Sequence, residues 1–516
     1  MRGAVTRSEQ PRGRPSGVSA APLAILAWST RPLELVMRFC EELRRAGVSY
    51  CHWKSTDALH LSATGVNDLD LLVERGHAGA FLEVLARLGF KEAVPPKHRR
   101  RPGVQHYYGL DDQTGVLVHV DAQYSLWLGD DTTKNVRLPM ERAYLASAEQ
   151  GPLFAVPAFE FELAVLIVRL ALKRGTWDAA AFGMAGLQDN ERRELEYLWA
   201  RSDPDTLRDV VESHLTMVGW PAWSAFFQAL LLRQSLARQL VTGRRVVSSL
   251  HSCARRRPAL DTVVRCRRRI SWGLRHYVLR SRNSKTLVSG GAVIAVIGGD
   301  GAGKSTAVEG LCAWLGGPLP VRRVHLGKPP RSLATVLVKG WIVVARRVGL
   351  VRSPWLPNYP TGDETLGRPP GYAWLLWQLM TARDRRRHHR RVRRLAARGH
   401  LLVCDRYPLP QLTLMDGSRT RWLSRASLPP VAARLAALEQ RWYADIGEPD
   451  VTLVLRVDPD VAVARKVGVD PAEFVRPRVA EVFDADWAGT GAVVLDACQP
   501  AAEVLAQMRA AVWERL

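Results

Sequence analysis

A glycine-rich loop in the C-terminal half of the chain carries the residues best suited to chemistry. Residues 293–306 read VIAVIGGDGAGKST and fit the pattern G-x-x-x-x-G-K-S. Glycines let backbone N–H groups close around phosphate oxygens, and the following helix points its positive end at the same anion. In this pattern Lys304 reaches the β- and γ-phosphates, and the Ser305 hydroxyl ligates Mg²⁺. We therefore expect ATP and Mg²⁺ as cofactors, bound by the loop residues Gly298, Gly299, Asp300, Gly301, Ala302, Gly303, Lys304, Ser305 and Thr306.

A second candidate lies about a hundred residues further on, where LLVCDRY at 401–407 predicts a buried strand ending in Asp405. In enzymes that use a phosphate loop, a carboxylate at the end of such a strand lies close to Mg²⁺ and its waters. Many buried strands end in aspartate, so this strand alone is weak evidence for a metal site. Its position about a hundred residues after the loop makes the evidence stronger. We take Asp405 as a metal ligand together with Ser305.

The order of motifs around these two sites resembles that of thymidylate kinases. The loop GGDGAGKST is similar to that family's loop, including an acid at Asp300. The segment DRRRHHRRVRRLAARGHLLVCDRY has the family's order of an Asp-Arg pair, a His, a Gly and an Asp-Arg-Tyr triplet. With a strand and helix at 447–466 and a closing strand and helix at 493–516, the resemblance covers about 290–516. The residues that match in the central segment are Asp384, Arg385, His388, Gly399, Asp405, Arg406 and Tyr407.

The resemblance implies a kinase that moves the γ-phosphoryl group of ATP to a nucleoside monophosphate such as dTMP, or to a related phosphorylated acceptor. It implies that Asp300 faces the acceptor and that Arg385 and Arg406 hold its phosphate. Catalysis of this kind rests on positioning and charge neutralisation. The resemblance also implies a homodimer. The implied catalytic residues are Lys304, Asp405, Arg406 and Arg465, and a candidate lid, VGVDPAEFV, is flanked by Arg465, Lys466, Arg476 and Arg478.

Three departures from the thymidylate kinase pattern leave the acceptor open. The residues before the Asp-Arg pair read MTAR, without the aromatic side chain that stacks on the base in that family. PLPQLTLMDG lacks the triplet Ala-Tyr-Gln that follows Asp-Arg-Tyr, and HLGKPPRS at 325–332 replaces the early substrate loop. The alternatives are a kinase of a sugar or phosphosugar coupled to nucleotidyl transfer, a nucleotide-gated regulatory protein, and a nucleic-acid-associated enzyme.

Acidic residues nearer the N-terminus form a second candidate site. GVNDLDLLV places Asp68 and Asp70 on one face of a strand, and VLVHVDAQY places His119 and Asp121 on one face of another. Such carboxylates repel unless cations neutralise them, as in a two-metal nucleotidyl-transfer site. Over about 45–125 the pattern resembles the DNA polymerase beta-type nucleotidyltransferase fold, which implies metal ligation by Asp68, Asp70 and Asp121. Only Ser55 matches that family's Gly-Ser signature, so both an active site and an inactive binding domain stay open.

Hydrophobic periodicity places these residues in an α/β architecture. From about 290 onward, short apolar runs alternate with helices, which predicts a P-loop NTPase parallel sheet flanked by helices. In the N-terminal α+β region we predict strands at 50–54, 68–73, 106–110 and 116–124, a helix over 77–90 and a hairpin turn at 113–115. The chain divides into a disordered tail (1–30), a nucleotidyltransferase-like domain (31–150), a helical segment (151–252), a basic connector (253–288) and a P-loop kinase domain (289–516).

The net charge of +23 is concentrated in two stretches. Residues 253–285 hold ten Arg, one Lys and one Asp, and residues 381–400 hold nine Arg and one Asp. Neither stretch contains a nucleic-acid-binding motif or interleaved aromatic residues, so solvated helix faces explain most of these arginines better than nucleic acid does. We therefore expect a small-molecule phosphoryl acceptor as the partner and regard nucleic acid as the weaker alternative.

Cysteine spacing and hydropathy indicate the cellular compartment in which we expect the protein. The seven cysteines are dispersed without a C-x-x-C pair, which is typical of reduced thiols in a cytoplasmic protein. No stretch of the sequence reaches the ~18 consecutive apolar residues of a membrane span. The most apolar candidate, 333–350, is interrupted by Lys339, Arg346 and Arg347, and it predicts a buried amphipathic helix.

Overall fold

The computed structural model describes residues 31–130, 133–274, 284–327, 329–349, 371–412, 414–421, 423, 428–467 and 470–516. The predicted tail therefore lies outside the described residues, as do 275–283 of the connector and two positions of the candidate lid, Gly468 and Val469. Within the described ranges the chain is mixed α/β, with a parallel sheet flanked by helices, which confirms the predicted fold class.

The N-terminal region is built on a six-stranded mixed sheet. Its order is Tyr50–His52, Leu69–Val73, Leu117–Gln123, Val104–Leu110, Lys91–Val94 and Thr286–Leu287. The second and third of these strands run parallel, and every other neighbouring pair is antiparallel. The four predicted strands and the hairpin turn are confirmed. Two strands of this sheet were not predicted, namely Lys91–Val94 and Thr286–Leu287; the second comes from the segment that we interpreted as a connector.

The register of this sheet brings polar side chains from three strands into one row. Asp70 pairs with Asp121 across the parallel strands, and Asp121 pairs with His106 across the next antiparallel pair. His119 pairs with Tyr108 on the same face, two residues further along. The apolar residues that alternate with them face the opposite side of the sheet and belong to the hydrophobic core.

Helices pack on the apolar face and continue into the helical segment, with one hydrophobic cluster extending from Leu33 to Leu250. The predicted regions 31–150 and 151–252 therefore share a core. The helices are Glu34–Arg45, Leu59–Ala63, Ala78–Arg87, Glu141–Ala146, Phe159–Arg174, Trp177–Ala181, Asp189–Trp199, Pro204–His214, Trp220–Leu231, Leu236–Ser249 and Pro258–Gly273. Single 3₁₀ turns occur at Thr56–Ala58, Arg75–His77, Lys97–Arg99 and His251–Cys253. Two short hairpins pair Leu126–Leu128 with Val136–Leu138 and Glu149–Gln150 with Ala155–Val156.

The C-terminal region is built on a five-stranded parallel sheet. Its order is Val321–His325, Leu401–Asp405, Val293–Gly298, Val451–Arg456 and Val493–Asp496. Its helices are Lys304–Leu315, Leu333–Arg347, Tyr372–Ala396, Pro430–Ala444, Pro459–Arg465, Ala472–Asp484 and Ala501–Arg515. The central strand is buried at every residue, as expected for a parallel sheet covered on both faces. Because the carboxyl ends of parallel strands meet at one edge, the glycine-rich loop and Asp405 come together there.

The two sheets are joined through a hydrophobic cluster to which both contribute, including Tyr108 from the first sheet and Trp513 from the last helix. The Trp513 indole N–H donates to the Gly89 carbonyl at 3.1 Å. The Trp314 indole N–H donates to the carbonyl of Gly115, in the predicted hairpin turn, at 2.9 Å. The loop-bearing domain is thus packed directly against the N-terminal sheet.

The apolar segment 333–350 forms a helix, Leu333–Arg347, and the prediction of a buried amphipathic helix holds for one face only, which carries Thr335, Ile342 and Ala345. Leu333, Leu337 and Trp341 are 84%, 74% and 56% exposed. Periodicity identifies the apolar residues of a helix, but it does not tell how many of them a neighbouring element covers. Among the described residues, no helix is both long enough and apolar enough to cross a membrane.

Part of the basic connector also differs from our interpretation of solvated arginines. Its helix carries Arg265 and Arg269, each 3.1 Å from a carboxylate oxygen of the fully buried Asp178. Arg269 also contacts Asp130. Removing one partner of a buried ion pair leaves an uncompensated charge, so these two arginines are structural parts of the N-terminal region.

Candidate functional site

The glycine-rich loop leaves the central strand of the parallel sheet and enters a helix that begins at Lys304. Gly301 and Gly303 have φ angles of 87° and 81°, a left-handed conformation that favours glycine. A Cβ atom at Gly299 would lie 2.6 Å from Val479 Cγ2, closer than side chains tolerate. Backbone conformation and close approach therefore account for three of the four glycines in the loop.

Lys304 is buried, with 9% of its surface exposed. Its Nζ donates to the Gly299 carbonyl at 2.6 Å and lies 4.0 Å from Asp300 Oδ1. Burial lowers the pKa of Lys304 to about 8; Arg406 acts in the same direction, while Asp300 and Asp405 oppose it. The ammonium group therefore rests on its own loop, at the position from which a lysine of this motif reaches a bound phosphate.

Asp300 gathers arginines from two other elements onto the loop. Its Oδ1 lies 3.1 Å from Arg406 Nη2, and its Oδ2 lies 2.8 Å from Arg478 Nη1. Burial raises the pKa of Asp300, but Arg478, Lys304 and Arg406 outweigh burial and leave the pKa below its usual value. The carboxylate is therefore ionised and holds a cluster of three cations around the loop.

Asp405 ends the strand beside the loop strand and pairs in register with Val296. Its Oδ2 lies 3.7 Å from His325 Nδ1 and 3.9 Å from Arg323 Nη2. Its Oδ1 is buried and has no hydrogen-bond partner among the described residues. Buried polar atoms are rarely left unpaired, so this oxygen fits a cation ligand. Ser305 is exposed in the first turn of the helix that follows the loop. Asp405 and Ser305 therefore fit the predicted Mg²⁺ site, and metal ligation by these two residues stays a prediction.

Arg406 has a φ angle of 59°, in the left-handed region where residues other than glycine are uncommon. Strain of this kind costs about 1–3 kcal/mol and persists only where the surroundings impose it. The stem of Arg406 packs so closely on Gly327 that a Cβ there would lie 2.9 Å from Arg406 Cδ. This backbone turn directs the guanidinium toward Asp300 and the loop.

Arg385 is buried and its guanidinium binds protein groups on all sides. It donates to the carbonyls of Leu326 at 2.9 Å, Gly327 at 2.7 Å and Asp416 at 2.5 Å, and to the Tyr443 hydroxyl. The structure therefore places Arg385 as a clamp on the segment that replaces the early substrate loop. The predicted contact of Arg385 with an acceptor phosphate stays a prediction. The contact between Arg385 and Asp416 was not predicted, because the segment PLPQLTLMDG matched no known pattern.

The cations that flank the candidate lid divide into two groups. Arg478 contacts Asp300, and Arg465 Nη1 lies 3.5 Å from the Gly301 carbonyl and 3.0 Å from the Ala497 carbonyl, so both reach the loop. The other two form ion pairs with nearby residues, Arg476 with Asp460 and Lys466 with Asp470. Proximity to the loop therefore favours Arg465 and Arg478 as the lid cations that act on phosphate.

The predicted N-terminal acidic residues lie on one face of the first sheet, each with a cationic or imidazole partner. Asp70 Oδ1 lies 2.9 Å from Lys54 Nζ, and Asp68 Oδ1 lies 2.7 Å from His119 Nδ1. Asp121 Oδ1 lies 3.0 Å from His119 Nε2 and also contacts His106 Nδ1, so Asp121 binds two imidazole groups. A cleft of about 250 Å³ opens beside Asp68 and Asp70, lined also by His52, Ser55, Ser62, Val66 and Asn67.

Ser55, the one match to the Gly-Ser signature, lies in a turn held by the helical segment. Its φ angle is 60°, and its backbone N–H donates to Glu194 Oε1 at 3.1 Å. The next N–H, that of Thr56, donates to Glu162 Oε1 at 3.1 Å. Burial, with the neighbouring Glu194, raises the pKa of Glu162 to about 7, against hydrogen bonds from Thr56. Sequence reasoning missed these two carboxylates because they come from helices far along the chain.

Together, the fold and the loop define an α/β protein with a nucleotide-binding domain. No known family profile matches the chain. The chain is similar to the "Uncharacterized ATP-binding protein YghR" of Escherichia coli K12 and to the protein of the same name in E. coli O6:H1. Each is 28% identical over 229 residues, which is 43% of this chain and 86% of the relative. This similarity supports nucleotide binding and leaves the reaction open.

Proposed function

We propose that residues 289–516 form an ATP-dependent phosphotransferase of the thymidylate kinase type. The observation that carries this proposal is the cluster around Asp300, which holds Arg406 and Arg478 next to the buried Lys304. A loop that only binds nucleotide needs its backbone and lysine. Two further arginines, gathered at the acidic residue that faces the acceptor in the family, favour a site where two phosphates meet.

In the proposed reaction an oxygen of the acceptor phosphate attacks the γ-phosphorus of ATP, the bond to the β–γ bridging oxygen breaks, and ADP leaves. Lys304 neutralises the β- and γ-phosphates, and Arg406 and Arg478 hold the oxygens that gain charge on either side of the transferred group. Ser305 and Asp405 would hold Mg²⁺, which would supply further neutralisation of those phosphates.

The acceptor we propose is a nucleoside monophosphate such as dTMP, or a related phosphorylated molecule. A phosphosugar is the second candidate. The missing aromatic residue before the Asp-Arg pair favours the same candidate, since a sugar has no base to stack. In this alternative the N-terminal domain transfers a nucleotidyl group to the same molecule.

An acceptor panel tests the proposal. ADP formation is followed with Mg-ATP and a set of nucleoside monophosphates and sugar phosphates, using the wild-type chain and Lys304→Ala in parallel. We expect one acceptor class to stimulate turnover in the wild type and not in Lys304→Ala. The control is Lys339→Ala, an exposed lysine on another helix, which we expect to behave as wild type. Stimulation by a protein partner and by no small acceptor favours the regulatory alternative and contradicts the proposal.

A further inference from the structure

Three side chains on the polar face of the first sheet direct nitrogen and oxygen atoms at one point. His119 Nε2 lies 3.3 Å from His106 Nδ1 and 3.0 Å from Asp121 Oδ1, and His106 Nδ1 also contacts Asp121 Oδ1. In a tetrahedral zinc site with bonds of about 2.0–2.1 Å, ligand atoms are separated by roughly 3.3 Å. Two of the three separations are therefore close to the spacing that one ion requires, while His106 Nδ1 and Asp121 Oδ1 lie closer together and would move apart when an ion binds.

A second layer of contacts orients one of these imidazoles. His119 Nδ1 lies 2.7 Å from Asp68 Oδ1, and the His119 ring stacks on Tyr108 with 4.5 Å between centroids. A histidine that binds a metal commonly donates its other ring N–H to a carboxylate, which fixes the tautomer and leaves the metal-facing nitrogen unprotonated. Asp68 lies where it can accept the Nδ1–H hydrogen bond of His119 and leave Nε2 unprotonated.

The cluster already attracts a cation. Lys285, from the strand segment between the two domains, places its Nζ 3.0 Å from His119 Nε2 and 2.8 Å from the Tyr108 hydroxyl. His106 and Asp121 are themselves 6% and 8% exposed, so the negative charge of Asp121 is poorly solvated and favours a positive neighbour.

We propose that His106, His119 and Asp121 bind one divalent transition-metal ion of the zinc class. Two imidazoles and one carboxylate suit such an ion better than Mg²⁺, which prefers oxygen ligands. Asp68 acts as the positioning residue for His119, and Lys285 withdraws from Nε2 when the ion binds. The ligand set differs from the predicted magnesium set of Asp68, Asp70 and Asp121. His106 and His119 enter it, Asp68 contacts His119 instead of the ion, and Asp70 binds Lys54.

Metal binding by the full-length chain tests the proposal. After removal of adventitious metal with a chelator, Zn²⁺ or Co²⁺ alone is titrated without nucleotide. We expect one ion per chain, and for Co²⁺ a visible absorption band of a four-coordinate site. His106→Ala and Asp121→Asn should abolish stoichiometric binding, and Asp68→Asn should weaken it by about tenfold or more. His251→Ala, an exposed histidine elsewhere, is the control and should bind as wild type.

Lys285→Met provides a variant whose effect does not come from misfolding. Removing the ammonium group beside Nε2 should tighten Zn²⁺ binding relative to wild type. Lys304→Ala should leave metal binding unchanged, so failure of the kinase proposal and failure of the metal site are distinguishable. The proposal is overturned if the wild type binds no stoichiometric ion, if His106→Ala and Asp121→Asn keep the Co²⁺ band, or if Lys285→Met leaves the affinity unchanged.

Discussion

At the scale of single residues, the proposed binding of phosphate depends on a lysine that the glycine-rich loop buries. Lys304 donates to a carbonyl of its own loop, and burial lowers its pKa to about 8. A triphosphate brings negative charge to the ammonium group and so raises its pKa in the complex. The proton is therefore held more tightly in the complex than in the free protein.

This difference fixes the pH dependence of Mg-ATP binding. Above pH 8 the free protein must take up a proton to bind, so affinity should fall by up to about tenfold per pH unit. Isothermal titration calorimetry between pH 6.5 and 9.5 measures the affinity for Mg-ATP at each pH. Lys304→Arg keeps its charge over this range and should lose the dependence. A wild-type affinity that stays level across the range contradicts a role for Lys304 as the protonated phosphate ligand.

A second residue-scale prediction concerns the anchor of the arginines. Asp300→Asn keeps the size of the side chain but removes the charge that holds Arg406 and Arg478. We expect kcat to fall by about tenfold or more, because the two arginines lose their fixed positions, while Mg-ATP affinity is kept or improved. Steady-state kinetics with the best acceptor measures this. Asp460→Asn is the control, since Asp460 forms an ion pair with Arg476 and, among the described residues, with no cation of the loop cluster. Equal kcat values in the two variants would contradict this prediction.

At the scale of elements, the sequence predicted most of what positions the loop. The apolar runs at 293–298, 401–405 and 451–456 have no helical period and are bounded by glycine or aspartate, so their assignment as buried parallel strands was secure. The exposure of most apolar residues on helix Leu333–Arg347 and the proposed metal ligand His106 could not be predicted. Burial depends on a partner element, and His106 joins Asp121 only through sheet register.

The close packing of the loop on a helix gives an element-scale prediction. In Gly299→Ala the new methyl group would meet Val479 at 2.6–2.7 Å, including its Cα, so the loop or helix Ala472–Asp484 must move. We expect weaker Mg-ATP binding and a stability loss of about 1–3 kcal/mol. Nucleotide titration and urea unfolding measure the two effects. Gly317→Ala has open space around its Cβ and should match wild type; if Gly299→Ala does so too, the packing argument is wrong.

At the scale of the whole molecule, the two sheets are joined by tryptophans and by the strand Thr286–Leu287, which belongs to the first sheet and contributes Leu287 to the hydrophobic cluster between them. Sequence reasoning divided the chain into domains but could not detect this junction, because Lys285 and Thr286 lie far along the chain from the strand they join. The buried Arg265 and Arg269 likewise reduce the charge available to a polyanion. Cytoplasmic location, a homodimer and a weak role for nucleic acid stay predictions.

The junction gives a whole-molecule prediction. Trp513 is 5% exposed and spans the contact, so Trp513→Ala should cost about 3 kcal/mol and separate the unfolding of the two domains. Urea unfolding followed by fluorescence and circular dichroism should then show two transitions. Trp177→Ala, at a tryptophan that is 64% exposed, should change little. The same single transition at the same midpoint in both variants would show that the domains do not depend on this contact.

The central claim is that the loop at 298–306 transfers the γ-phosphoryl group of ATP. The most direct measurement follows radiolabel from γ-labelled ATP into the acceptor identified by the panel. The account predicts labelled acceptor with the wild-type chain, none with Lys304→Ala, and wild-type transfer with Lys339→Ala. Label that appears only as inorganic phosphate, or transfer that survives in Lys304→Ala, would contradict the account.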